Sequence, residues 1–171
     1  MTDTETAAPT TVTRSTQAAD SAPSPGLPGA STEPSSHMPE RAAGLFIEAV
    51  RAGSHPGFDR VVFEFSGSGE PGWHTAYTAA PVQLASGRPV EFPGAVGLNV
   101  LIHGVPTPYD RIDDAPIPGR AADAHGAIAG VEHTGIFEAD AQYVIGLDHE
   151  RPYTVKVLDN PTRLVIDIES P

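Results

Sequence analysis

Between Gly44 and Glu169 the chain alternates apolar and polar residues with period 2, in run after run. A strand turns successive side chains to opposite faces, whereas a helix needs apolar residues three or four apart, so this pattern confines the region to β structure. Val61, Phe63 and Phe65 share one face, with Val62 and Glu64 on the other. The same reading gives inward rows at Trp73, Thr75 and Tyr77, at Leu98, Val100 and Ile102, and at Tyr143, Ile145 and Leu147. Two more run through Tyr153, Val155 and Val157, and through Leu164, Ile166 and Ile168. Leu45, Ile47 and Ala49 open the series, and strand character returns from Ala127 to Asp140. Turn residues at 53–57, 67–72, 86–89 and 159–161 separate the runs, a spacing that predicts an all-β fold. We expect a β-sandwich of about eight mostly antiparallel strands. Pro106 to Gly126, with four prolines and four aspartates, reads instead as one long loop.

The first 40 residues are a different polymer. They hold 14 Ser and Thr and 6 Pro, while all 11 aromatic residues lie at or beyond Phe46. Such a stretch buries too little apolar surface to offset about 1–2 kcal/mol of ordering entropy per residue. Residues 1–43 are therefore expected to be a disordered Ser/Thr/Pro-rich linker, and 44–171 the folded domain. Met1-Thr2-Asp3-Thr4-Glu5 has neither the basic nor the apolar region of a secretory leader. At face value this keeps the protein in the cytoplasm. A tail of this kind is also what a removed leader leaves behind, and the sequence leaves both open.

Several function classes drop out. There is no cysteine, hence no disulfide framework, thiolate metal site or cysteine nucleophile. A net charge of −12 opposes nucleic acid binding, because the phosphate backbone would be repelled. No window approaches the roughly 18 apolar residues of a membrane helix. Gly67, Gly69 and Gly72 spell G-x-G-x-x-G, but Pro71 and a β-alternating run follow. A dinucleotide site needs a helix there, so the motif reads as a hairpin loop. The seven histidines make no ligand pair at helical spacing, although His133 and His149 lie near expected strand ends. Asp110, Asp113 and Asp114 lack the EF-hand pattern; their carboxylate oxygens leave a cation site open beside the plainer reading of an acidic, solubilising loop. No G-x-S-x-G elbow exists, and nothing singles out Glu132 and Glu138 as a catalytic carboxylate pair. No cofactor is expected.

Five blocks in order carry a resemblance. The first is Arg51-Ala-Gly-Ser-His55-Pro-Gly-Phe-Asp59-Arg60-Val-Val-Phe-Glu-Phe65. Pro71-Gly72-Trp73 with Tyr77, Pro81-Val82 with Ser86-Gly87-Arg88-Pro89-Val90, and Gly135-Ile136-Phe137-Glu138 with Tyr143 to Leu147 follow. Pro161-Thr-Arg163-Leu-Val-Ile-Asp167-Ile closes the series. Together they resemble the AMIN-like domain of actinobacterial secreted proteins and lipoproteins over nearly all of residues 44–169. The resemblance implies a β-sandwich that is secreted or held at the cell envelope and is not an enzyme. It implies binding or localisation to peptidoglycan or to another envelope component, including an envelope protein. We expect a monomer.

His55, Asp59, Arg60 and Asp167 are expected to form one corner, an Arg–carboxylate pair pinning a strand entry to its neighbour. Trp73, Tyr77 and Tyr109 are the candidates for a sugar or peptide face, since aromatic rings stack on sugars. Two alternatives remain. A hydrolase would gather two or more of His103, Asp110, His125, Glu132 and His133 in one pocket. An interaction domain would pair through an exposed strand edge.

Overall fold

The computed structural model describes residues 26–41, 43–107 and 118–171. Its strands are β1 (Ser35–His37), β2 (Gly44–His55), β3 (Phe58–Ser68), β4 (Gly72–Thr78) and β5 (Val96–His103). β6 (Gly119–Ala122), β7 (Ile128–Phe137), β8 (Asp140–Leu147), β9 (Tyr153–Leu158) and β10 (Arg163–Glu169) complete the set. They build two antiparallel sheets, ordered β2-β3-β10-β9 and β1-β4-β5-β8-β7-β6. The alternating rows become one core: Val61, Phe63, Leu98, Val100, Ile145, Leu164, Ile166 and Ile168 are each 0% exposed. Phe63 of the smaller sheet meets Tyr143 of the larger edge-on, with ring centroids 4.9 Å apart, a favoured aromatic geometry.

The structure departs from the sequence expectation in several places. The opening row runs Leu45, Ile47, then Val50 and Ala52, because Glu48 is an extra residue bulged between Ile47 and Ala49. A bulge shifts every later side chain to the other face. The β2–β3 turn is only Pro56-Gly57, with His55 paired to Phe58; Gly57, at φ 84°, takes the left-handed position that such a turn requires. The glycine pattern at 67–72 is not a hairpin, since β3 and β4 belong to different sheets. Within the expected 106–126 loop, β6 pairs with β7 at a sheet edge.

The stretch read as linker also contributes structure. Ser31 exchanges two backbone hydrogen bonds with Tyr153, at 3.2 and 3.0 Å, and β1 then pairs with β4. Residues 31–37 thus step from the edge of one sheet to the edge of the other. The Tyr153 and Thr75 hydroxyls, 2.9 Å apart, bridge the sheets beneath this step and reach the carbonyls of Glu33 and Ser35. These pairings use main chain, so they leave no hydrophobic signature in the sequence. Residues 1–25 lie outside the described residues.

The loop 79–95 covers much of the outer face of the larger sheet. Gln142, 3% exposed, donates to Val82 O at 2.8 Å and Asn99 Oδ1 at 3.0 Å. Its Oε1 accepts from Leu84 N–H at 3.1 Å and from Thr134 Oγ1 at 2.8 Å. Gly97, Gly146 and Gly130 are register partners under this loop, and Pro93 lies directly against Gly146. Among the described residues no comparable loop is bonded across the outer face of the smaller sheet.

The β7–β8 turn is Glu138-Ala139, with φ of 51° and 66°. Two left-handed residues suit the twist of a two-residue hairpin, but each costs a non-glycine residue roughly 1–2 kcal/mol. Ala139→Gly is expected to stabilise the protein by about 0.5–1 kcal/mol once the added freedom of the unfolded chain is counted. A denaturant melt with unchanged slope and a higher midpoint would show this; a lower midpoint would refute it.

Candidate functional site

The outer face of β2-β3-β10-β9 follows from the same parity that makes the core. With Val61, Phe63, Leu164 and Ile166 turned inward, Phe58, Arg60, Val62, Glu64, Arg163, Val165 and Asp167 point out. Register puts Gly53, Arg60, Asp167 and Thr154 in one row, and Arg51, Val62, Val165 and Lys156 in the next. Arg51, Arg60, Lys156 and Arg163 therefore share one face of a chain with only 10 Lys and Arg and a net charge of −12.

Asp167 organises the centre. Arg60 grips it with Nε to Oδ1 at 2.6 Å and Nη2 to Oδ2 at 3.0 Å, and Lys156 Nζ donates to Oδ2 at 2.6 Å. The fork geometry fixes the guanidinium plane, which a lysine in its place would not do. Burial pushes the Asp167 carboxyl up, but the hydrogen bonds from Arg60 and Lys156 and their charges outweigh it, leaving the group below its ordinary 3.8. The Asp167 hydrogen bond in turn raises Arg60, against the effect of its partial burial. A lowered carboxyl adds stability above its ordinary pKa and loses it as pH falls through the folded value. Wild-type protein is therefore expected to lose melting temperature between pH 5 and pH 2 more steeply than Asp167→Asn. Parallel curves would refute a stabilising ionised Asp167.

Beside this centre lies an aromatic platform. The His55 and Phe58 rings stack at 4.9 Å and 17°, and the Arg60 guanidinium stands 5.2 Å from the Phe58 centroid. Cation–π contacts of this kind hold a charge over a ring face. Arg51 pairs with Glu64 at 2.5 Å, with 58% of its side chain exposed. Arg163 spends its donors on the backbone carbonyls of Pro161 and Asp159.

The expected corner is divided by the sheet. His55, Arg60 and Asp167 belong to the outer face, whereas Asp59 is 1% exposed and shares the inward parity of Val61. Its Oδ2 accepts from Ala127 N–H at 2.7 Å, tying β3 to the loop before β7. Gly126 packs against that carboxyl group, where a Cβ would stand 2.2 Å from Oδ1. His55 is exposed and stacks on Phe58 rather than bonding the Arg60 pair.

Trp73 and Tyr77 pack against the core in partly buried positions. Trp73 Nε1 donates to Ser35 Oγ at 3.3 Å. The Tyr77 hydroxyl donates to Arg151 O at 2.7 Å and accepts from Arg151 N–H at 3.1 Å; burial pushes its pKa up to about 12. Both rings take part in the packing and hydrogen bonding of the sandwich edge. Tyr109, Asp110, Asp113 and Asp114 lie outside the described residues. His133 is buried against Tyr143, with centroids 4.7 Å apart, while His149 is exposed beside Asp148.

His103, whose Nδ1 lies 2.6 Å from Asp140 Oδ1, borders a cavity of about 350 Å³ walled by Met38, Pro39 and Ala139. His125, Glu132 and His133 do not line it; Glu132 is paired with Arg120 at 2.6 Å. Among the described residues no three His, Cys, Asp or Glu side chains gather as a metal site would require. No helix among them is long and apolar enough to cross a membrane.

Sequence reasoning missed Phe58, Arg51, Lys156 and Arg163 as members of one face. Each carries the outward parity of its strand, but the register that aligns the four strands is a tertiary fact. The model of the AMIN-like domain family matches residues 45–170. No curated protein and no solved structure matches the chain.

Proposed function

The chain belongs to the AMIN-like domain family, and from that premise we propose that it is a non-catalytic module of the cell envelope. It would bind peptidoglycan or another wall component on the outer face of β2-β3-β10-β9. AMIN-like domains are envelope-associated modules of the peptidoglycan-binding type, and export to that compartment goes with this reading.

The observation that carries the reading is the His55–Phe58 stack beside Arg60 and its neighbouring cations. A sugar ring lies flat on an aromatic face, and forked N–H donors suit the carboxylates and phosphates that wall polymers carry. Glu64 and Asp167 offset part of the positive charge of this face, but Arg51, its side chain 58% exposed, still presents a cation to an anionic polymer, an effect that salt weakens.

Co-sedimentation with purified peptidoglycan tests it. Wild-type protein is expected in the pellet, less so at high salt. Phe58→Ala combined with Arg51→Ala should cut retention by about tenfold, equivalent to ~1.4 kcal/mol. Val82→Ser, on the loop over the opposite sheet, should change nothing. Retention no greater than that of an unrelated β domain, or equal in all variants, refutes the proposal.

A further inference from the structure

We propose that the free edge of β9 accepts an extended strand from a partner polypeptide, added antiparallel across Val155, Lys156 and Val157, with an apolar–acidic–apolar triplet facing them. This edge shares Lys156 with the proposed wall-binding face but does not rest on that reading.

Antiparallel strands alternate residues that bond one neighbour with residues that bond the other. Glu169 N–H donates to Pro152 O at 2.9 Å, and the β9–β10 register is unbroken. The even positions of β9 therefore serve β10, while the N–H and C=O groups of Tyr153, Val155 and Val157 point outward. Ser31 takes those of Tyr153. Those of Val155 and Val157 pair with no described residue.

The chain itself begins this addition and then abandons it. Continued antiparallel from the Ser31–Tyr153 bridge, Gly29 and Leu27 would face Val155 and Val157. Instead a turn at Pro28-Gly29 closes with Ala30 N–H to Leu27 O at 3.0 Å. Leu27 N–H goes to Glu169 Oε1 at 2.9 Å. A groove of about 610 Å³ remains beside the edge, between Glu33 and Pro34 on one wall and Thr154 and Val155 on the other.

The other edges are poorer templates. β1 and β6 have 3 and 4 residues, and β2 is bulged at Glu48. Bulges and short length are common guards against unwanted pairing.

The occupant's chemistry follows from parity and charge. Residues opposite Val155 and Val157 would fall on the core side, beside two partly buried valines, and so should be apolar. The residue between them would fall on the outer face opposite Lys156, whose side chain is 44% exposed, and so should be acidic. Two copies of β9 paired about a two-fold axis at this segment would set Lys156 against Lys156, which disfavours self-association.

The test uses the full chain, labelled for amide NMR, with acetyl-Thr-Val-Glu-Val-Thr-amide as probe. In the free protein the amides of Val155 and Val157 should exchange rapidly while those of Thr154 and Lys156 are protected. Saturating peptide should slow the two valine amides by about tenfold or more, as expected for newly bonded N–H groups. A peptide with Lys for Glu should bind about tenfold more weakly. Val157→Pro removes an N–H that the fold does not use and should abolish binding. A peptide N-methylated at its valines should also fail, with the protein left unaltered. The proposal is overturned if the valine amides are already slow, if the Lys peptide or the N-methylated peptide binds equally well, or if Val157→Pro binds normally. It is also overturned if the edge proves to be filled by a second copy of the chain.

Discussion

Gly146→Ala is expected to destabilise the protein by about 3 kcal/mol and to lower its melting temperature by roughly 10 °C. The added Cβ would stand 1.7 Å from the carbonyl oxygen of Pro93 and 2.9 Å from its carbonyl carbon. Both are backbone atoms, so no side-chain rotation relieves the clash. The loop must lift, and lifting it strains the bonds that Gln142 makes to Val82 and Leu84. A buried amide that loses such partners costs about 1–3 kcal/mol per unsatisfied group. Gly44→Ala is the control, because its Cβ would meet nothing within 4 Å. Thermal melts of the two variants decide the matter: equal midpoints would show that the loop yields without cost. Faster proteolysis within residues 79–95 of Gly146→Ala would locate the damage.

Asp59→Ala is expected to cost about 2–3 kcal/mol, by leaving a partly buried N–H without its acceptor and opening a small void. The lost acceptor is the one bonded to Ala127 N–H at 2.7 Å. Asp59→Asn keeps an oxygen at that position and should lose about 1 kcal/mol. Urea midpoints order the three proteins as wild type, Asn, Ala. If Ala and Asn fall together, the charge rather than the hydrogen bond is what the site uses. Neither substitution should alter retention on peptidoglycan, because Asp59 faces away from the proposed binding surface.

The alternation was a reliable guide where one face of a strand is buried. Leu164, Ile166 and Ile168 against Arg163, Asp167 and Glu169 could hardly be read otherwise, and β10 lies accordingly. The pattern failed where burial does not depend on side chains. Ser35–His37 joins its sheet through main-chain hydrogen bonds, and Gly119–Ala122 does the same at the other end. The bulge at Glu48 escaped notice because a single extra residue changes no composition, only the face on which Val50 and Ala52 fall.

The candidate site was legible in part for the same reason. His55, Arg60 and Asp167 stand out in sequence as polar residues at strand entries and in a strand. Asp59 stood beside them, although adjacent residues of a strand point to opposite faces. Trp73 and Tyr77 suggested a sugar platform, yet the structure turns both rings to the sandwich edge.

Period-2 burial and composition are local properties, so the class of fold, the inward rows and the −12 charge can be read along the chain. Which rows lie side by side is settled by the packing of the two sheets. Register set Arg60 against Asp167 across 107 residues and brought Lys156 to the same carboxylate. It laid the loop 79–95 over the larger sheet. It also left the backbone of Val155 and Val157 at an edge. Pairing between distant strands depends on the packing of two whole sheets, and no local stretch of residues encodes that.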